Sequence, residues 1–452
     1  MKKASTKTLS LLATIGCIIL SAVFSANAQS FIQTAEETGV TISEEEGVRI
    51  WEGPYTGKIK PEGPLSGKKI GVLVASEFSD FQAQYIYSYA SEFGGNVEFL
   101  KVGWVKWKFT RPNVKTKGVH GIWGTGLSEK DARYTSKSIR DASPGEYDAL
   151  VVLGGHSADI MTSEKEVISF IKAVHENDGV IGAIGGGSLP LIRAGIMNGK
   201  NVTGNRVVSF MLEKIAKYEN KPVVRDEKLI TARNTVNTPA FLRELCKAFD
   251  PDFKSERKDI LDGKKILVIA GEDFEDIELA VPVMEYLYRG AEITLATFPA
   301  PMRSRPPMVG VDVVQGNYGM SVPLQEIPKN HYHIMKLSKV RMDDLDLVQI
   351  PGAFCPWNMV SSGEPVDFLK EAHEAGKIIA AICHGPIAVS AADLVEGKKL
   401  AGVNACKDPV EIMGGTHSGD WSAVIDGKIV SGRVPPDIPE FLDAITQALV
   451  NN

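Results

Sequence analysis

The chain predicts a tandem pair of α/β domains, each a parallel sheet with helices on both faces. Two observations carry this. Short apolar runs alternate with segments of helical periodicity, and most of the runs end at glycine-rich turns. The same order of elements then recurs at a nearly constant offset. Gly67-Lys68-Lys69-Ile70 and Phe78 match Gly263-Lys264-Lys265-Ile266 and Phe274 at an offset of 196 residues. Asp148, Met161 and Gly199-Lys200 match Asp346, Met359 and Gly397-Lys398 at 198, and Arg233, Pro239 and Phe241-Leu242 match Arg433, Pro439 and Phe441-Leu442 at 200. A repeat of this length is one duplicated domain, and 452 residues exceed what one core holds.

In chain order, Lys2, Lys3 and Lys7 precede an apolar segment from Leu9 to Phe24, and Ala26-Asn27-Ala28 follows. This predicts a signal peptide over 1–28 with cleavage before Gln29, and an exported protein, periplasmic or secreted. The apolar segment is short for an uncleaved anchor, and Thr14-Ile15-Gly16 fits poorly with Cys17 as a lipoprotein cysteine. Residues 29–66, acidic and then rich in Gly and Pro, predict an extended leader along the first domain. The first domain spans 67–250. Its strands are Lys69 to Ala75, Asn96 to Val102, Ala149 to Leu153 and Val180 to Ile184, its helices Asp80 to Phe93 and Glu164 to Asn177, with an irregular insertion over 101–145. A polar linker covers 251–261, and the second domain covers 262–452.

Charge excludes some function classes. With 50 basic and 56 acidic side chains the formal charge is −6, and −9 without the three leading lysines. Neither nucleic acid nor an anionic membrane surface is a predicted partner. The mature chain keeps Cys246, Cys355, Cys383 and Cys406, too few for a disulfide framework. No CxxC or HExxH spacing occurs, so neither a metal nor another cofactor is expected.

The candidate site centres on Ile378 to Ile382, an apolar run that stops at Cys383-His384-Gly385-Pro386 before a helical segment. Strand, sharp turn and helix push a side chain out at the carboxyl edge of the sheet, where helix N–H groups favour a thiolate. A cysteine pKa of about 8.5 can fall to roughly 3.5–7.5 in such a place. A buried, inert cysteine is the competing reading. Comparing the two copies decides between them: Cys383 and His384 face Gly185 and Gly186, and Glu278 faces Gln82. Three reactive groups vanish together while the scaffold stays, which is how a functional set behaves.

Glu278 opens the helix after the first strand of its copy and so lies at the same sheet edge. It either donates a proton to the sulfur or accepts one from it. Gly352-Ala353 ends at that edge too; its N–H groups with that of His384 are either an oxyanion hole or an ordinary turn. Asp408 and Glu411 are candidates to orient His384. Cys355 is either a redox neighbour of Cys383 or a packing residue. His331, His333 and His417 receive no role.

These residues bring the chain close to a known family. Ala381-Ile382-Cys383-His384-Gly385-Pro386, Phe274-Glu275-Asp276-Ile277-Glu278-Leu279, Asp426 to Arg433 and Pro439-Glu440-Phe441 resemble the ThiJ/PfpI superfamily, strongly over 262–450 and as a degenerate copy over 67–248. The resemblance implies two flavodoxin-like, class I glutamine amidotransferase-like three-layer sandwiches. It also implies a Cys383 nucleophile with Glu278 and His384, and an internal pseudo-dimer or larger assembly. Relatives include glyoxalases, deglycases, peptidases, chaperones and oxidation sensors, and tandem copies occur among the glyoxalase type. The expected function is glyoxalase- or deglycase-like chemistry on small reactive carbonyls. The alternatives are a cysteine peptidase acting on peptides and a non-enzymatic redox sensor or chaperone. The first copy could also serve as a binding module, with Gly185 to Ser188 holding an anion. The family's usual Gly-Gly at the oxyanion turn is Gly352-Ala353 here.

Overall fold

A computed structural model describes residues 40–54, 59–60, 62–105, 118–127, 134–300 and 314–451. The signal segment predicted over 1–28 and part of the 101–145 insertion lie outside the described residues. Among those described, no helix is long and apolar enough to cross a membrane.

Each half builds one large sheet between layers of helix. In the first half the strand order is Val223–Asp226, Leu229–Ala232, Val180–Ile184, Ala149–Val152, Lys69–Ala75, Asn96–Val102 and Ser136–Ser138. In the second it is Trp421–Asp426, Ile429–Gly432, Ile378–Ile382, Leu347–Ile350, Lys265–Ile269, Glu292–Thr297 and His333–Lys336. Val180–Ile184 and Ile378–Ile382 are buried throughout, as strands covered on both faces must be.

The sheets are mostly, not wholly, parallel. Asp226 pairs with Leu229 and Asp426 with Ile429, each across a two-residue turn. So short a turn reverses the chain but cannot carry it across a sheet to a parallel neighbour, so both halves carry an antiparallel strand beyond their parallel core.

The leader corrects the sequence reading. Thr41–Glu45 and Val48–Glu52 form a hairpin around Glu46 and Gly47, both at positive φ, the backbone a two-residue hairpin turn demands. Val48–Glu52 then adds antiparallel to Trp421–Asp426 of the second half, covering its open edge. The chain next crosses to the first half, where the N–H groups of Lys60 and Leu65 donate to Ser91 O and Phe93 O at 3.1 and 2.9 Å. Pairing of backbone edges has little sequence signature, so the leader's partner was not legible. The linker is also packed: Leu261 is fully buried, and Arg257 bridges Glu92 of the first half and Asp443 of the second.

The halves meet through helices Asp80–Glu92, Thr238–Phe249, Asp276–Tyr288 and Ile438–Val450, and one apolar core runs across the contact. At its centre Glu285, fully buried, accepts from Arg243 Nη2 at 2.9 Å, from Arg289 Nε at 3.0 Å and from the Tyr85 hydroxyl. Arg243 and Tyr85 belong to the first half, Glu285 and Arg289 to the second. Burial pushes the Glu285 carboxyl up, but the guanidinium groups of Arg243 and Arg289 outweigh it and hold the pKa at about 2. A carboxyl depressed in the fold stabilises above its unfolded value and loses that contribution as pH falls through the folded one. The cluster is therefore expected to weaken between about pH 4.5 and 2, by ~3 kcal/mol. Glu285→Gln leaves two buried guanidinium groups short of a counter-charge. It is expected to cost about 3–5 kcal/mol at neutral pH and to flatten that acid limb, read by urea unfolding across pH.

Candidate active site

Strand Lys265–Ile269 has Glu292–Thr297 on one side and Leu347–Ile350 on the other. Successive crossovers therefore leave in opposite directions, and a crevice opens at the carboxyl edge between them. Three segments meet there: the start of helix Asp276–Tyr288, the turn after Leu347–Ile350, and the elbow between Ile378–Ile382 and helix Pro386–Ala391.

Cys383 has φ 62°, the left-handed region, which costs a non-glycine residue about 1–3 kcal/mol. Its counterpart Gly185 has φ 56°, so both halves keep the same elbow and only the second bears a side chain there. Pairing on both backbone groups holds the strained residue: its N–H donates to Gly432 O at 3.0 Å, and its carbonyl accepts from the Val403 N–H at 3.2 Å and the Cys406 thiol at 3.1 Å.

Glu278 is fully buried, and its N–H is capped by the Glu275 carboxylate at 2.7 Å. Its Oε2 accepts from the Gly352 N–H at 2.8 Å, while Oε1 has no hydrogen-bond partner. A Cβ added to Gly352 would lie 2.6 Å from that Oε2 and 3.0 Å from Cys383 Sγ. The missing side chain of Gly352 is thus what lets thiol and carboxyl approach each other, and the two interact directly. Gln349, from the middle of its apolar strand, donates from Nε2 to the Glu278 carbonyl at 2.9 Å and fixes the helix.

Electrostatically the pair differs from the expected helix-stabilised thiolate. Burial pushes the Cys383 thiol well up, with Glu278 and Glu275 adding to it and the Ala353 N–H opposing. Burial also pushes the Glu278 carboxyl well up, again with help from Glu275. Helix Pro386–Ala391 spans only six residues, and among the described residues no cation is a main influence on either group. Two negative charges cannot coexist here, so the pair keeps a proton, and a thiolate forms when that proton sits on Glu278.

His384 is half-buried with Nδ1 3.3 Å from Cys383 Sγ, and burial lowers its pKa, which keeps the ring neutral. Asp408 and Glu411 are exposed on helix Lys407–Ile412 and do not orient it. The oxyanion reading also changes. The Gly352 N–H is taken by Glu278 and that of Ala353 is directed at the sulfur, which leaves the His384 N–H of the three named donors. Cys355 is fully buried, its sulfur against Gly271 rather than Cys383 and its thiol pushed up to about 12 by burial. Cys406 is the cysteine at the elbow. Sequence reasoning missed it, Glu275 and Gln349, although a glutamine inside an apolar strand was a usable signal.

In the first half Gln82 repeats the role of Glu278 without its charge. Gln82 Oε1 accepts from the Gly154 N–H at 2.8 Å, and its Nε2 donates to Thr235 Oγ1 at 2.8 Å. With Gly185 and Gly186 in place of thiol and imidazole, the scaffold hydrogen bond survives and the reactive groups do not.

Fold and site define an α/β protein with a cysteine elbow beside a buried carboxyl group. The DJ-1/PfpI family model matches residues 68–248 and 264–448, and the chain belongs to this family in both halves. DJ-1 homolog D of Arabidopsis thaliana is 26% identical over 321 residues, covering 67% of this chain and 78% of that protein. A deglycase of Pyrococcus abyssi is 27% identical over 185 residues, covering 41% of this chain and 99% of that one. The crystal structure of Drosophila melanogaster DJ-1beta is 24% identical with a TM-score of 0.33, covering 42% of this chain and 91% of that chain.

The shared proton has a direct readout. Glu278→Gln removes the carboxyl group that, together with burial, holds the thiol up, so the rate–pH curve for alkylation of Cys383 is expected to move to lower pH and alkylation at neutral pH to speed up, while the remaining burial keeps the curve above that of a free thiol. Superimposable rate–pH curves for the two proteins would show that Glu278 and Cys383 do not share a proton. Gly352→Ala, which forces the two groups apart, is expected to move the curve in the same direction by a smaller amount while circular dichroism shows the fold retained.

Proposed function

We propose that the second half is a cysteine-dependent enzyme acting on small reactive carbonyls, in the manner of a glyoxalase or deglycase. The observation that carries this is a thiol on a strained elbow, 8% exposed, in contact with a fully buried carboxyl group. A site so enclosed suits a substrate of a few heavy atoms better than an extended polypeptide. The deglycase named among the relatives supports the same reading.

With the pair's proton on Glu278, the Cys383 thiolate attacks the aldehyde carbon of a 2-oxoaldehyde. A C–S bond forms, and the carbonyl oxygen takes up the proton from Glu278, giving a hemithioacetal. His384, neutral and 3.3 Å from the sulfur, takes the proton from the carbon now bonded to sulfur and delivers it to the neighbouring ketone carbon, while Glu278, ionised by the first step, carries the hydroxyl proton from the first carbon's oxygen to the ketone oxygen, leaving a thioester. The first carbon is oxidised and the second reduced, so no external redox partner is needed. Water cleaves the resulting thioester to a 2-hydroxy acid and restores the thiol.

Purified protein is expected to convert methylglyoxal to lactate. Cys383→Ala should abolish turnover and Glu278→Gln lower it by about 10²-fold or more. Equal turnover by wild type and Cys383→Ala would overturn the reading, and cleavage of unfolded peptides without methylglyoxal turnover would replace it with a peptidase.

A further inference from the structure

The first half has lost its reactive groups but not its crevice, and a carboxylate already sits there. Glu326 belongs to the second half, in the segment 314–332 that follows strand Glu292–Thr297, and it reaches into the first half. Its Oε1 accepts from Trp123 Nε1 at 2.7 Å, and its Oε2 accepts from Thr235 Oγ1 at 2.9 Å and from the Ser79 hydroxyl. All three donors come from the first half and frame the position equivalent to the active site. Ser79 caps the helix that carries Gln82, and Thr235 accepts from Gln82 itself.

Beside this carboxylate lies a cavity of about 550 Å³, lined by Gly154, Gly155, Gly185, Gly186, Asn205 and Glu326 among others. Loss of the thiol and the imidazole opens it: a Cβ on Gly186 would find nothing nearer than Gly155 O at 3.9 Å. The apolar side chains of Leu324 and Ile327 form another part of the wall. Glu326 is thus an anion held on side-chain donors across the crevice from Gly185 and Gly186.

We propose that this vestigial site binds a small free carboxylate, the 2-hydroxy acid made at Cys383 being the fitting one, and that Glu326 is the internal ligand occupying it otherwise. The choice of acid rests on the proposed function; the carboxylate site does not. Three neutral donors, with no cation paired to Glu326 among the described residues, hold a carboxylate well enough to select it and weakly enough to exchange it. A tethered competitor acts at an effective concentration of roughly millimolar, so the free acid competes only near that level while Glu326 is present.

The test is calorimetric titration of sodium lactate into full-length Cys383→Ala protein, in which no turnover occurs. Glu326→Ala added to that background removes the competing side chain and is expected to tighten lactate binding at least tenfold. Thr235→Val added to Glu326→Ala is expected to lose most of that gain. Trp123→Phe, which keeps a ring against Phe81, is a second variant with the same expected loss should Thr235→Val fail to fold. Absence of lactate binding to the Glu326→Ala protein at tens of millimolar, or affinity unchanged by both donor variants, overturns the site. Acetate binding as tightly as lactate keeps the carboxylate site and overturns its link to the product. Because these proteins lack the Cys383 thiol, failure of the methylglyoxal reading leaves the binding result untouched.

Discussion

Two acids buried side by side, with no cation beside them among the described residues, constrain everything around them in the second half. Cys383 and Glu278 are each pushed toward their neutral forms by burial, and each raises the other. The energy that would ionise both is too great for the fold to supply, so the pair exists as a proton-sharing unit. The geometry follows from that need. Gly352 carries no side chain because any Cβ would part the two groups, Gln349 and Glu275 pin the helix bearing the carboxyl, and the elbow's strain is held by pairing on both of its backbone groups.

The first half shows what remains when that unit is given up. Replacing Glu278 by Gln82 keeps the hydrogen bond to the following turn and removes the charge, so no proton has to be shared. Replacing Cys383 by Gly185 keeps the left-handed turn and removes the steric penalty. The result is a relaxed copy of the same crevice, into which the partner half inserts a carboxylate. The segment carrying Glu326 is also tied in its own half, where Asp276 accepts from the N–H groups of Tyr318 and Met320 at 2.9 and 2.8 Å, two residues from Glu278. Asp80 makes the same two bonds, to Trp123 and Thr125, in the first half. Each crevice is therefore bordered by a segment held at the first residue of its helix.

The join between halves rests on charges shared across it. Glu285 takes two guanidinium groups, one from each half, and Arg257 of the linker takes a carboxylate from each. Buried charges of this kind add little net stability over a well-packed apolar contact, but they forbid a shifted register because each must find its partners. Together with the hairpin that leaves one half and closes the sheet edge of the other, they make the two copies one body.

Much of this was legible in the residues alone. Periodicity and a constant offset fix two α/β domains, because the burial of strands on both faces is written as apolar runs. Comparing the copies isolates Cys383, His384 and Glu278, because reactive groups are lost as a set. What the chain could not announce depends on approach in space: that the leader pairs with the far half, that Cys406 and not Cys355 meets the elbow, that Gly352 gives its N–H to Glu278, and that Glu326 crosses into the other crevice. The sequence by itself determined the fold class and the chemical identity of the site, since both follow from residue type and spacing. Only the tertiary structure decided the protonation of the pair and the occupant of the vestigial crevice, since burial and distance set these and neither is a property of any one residue.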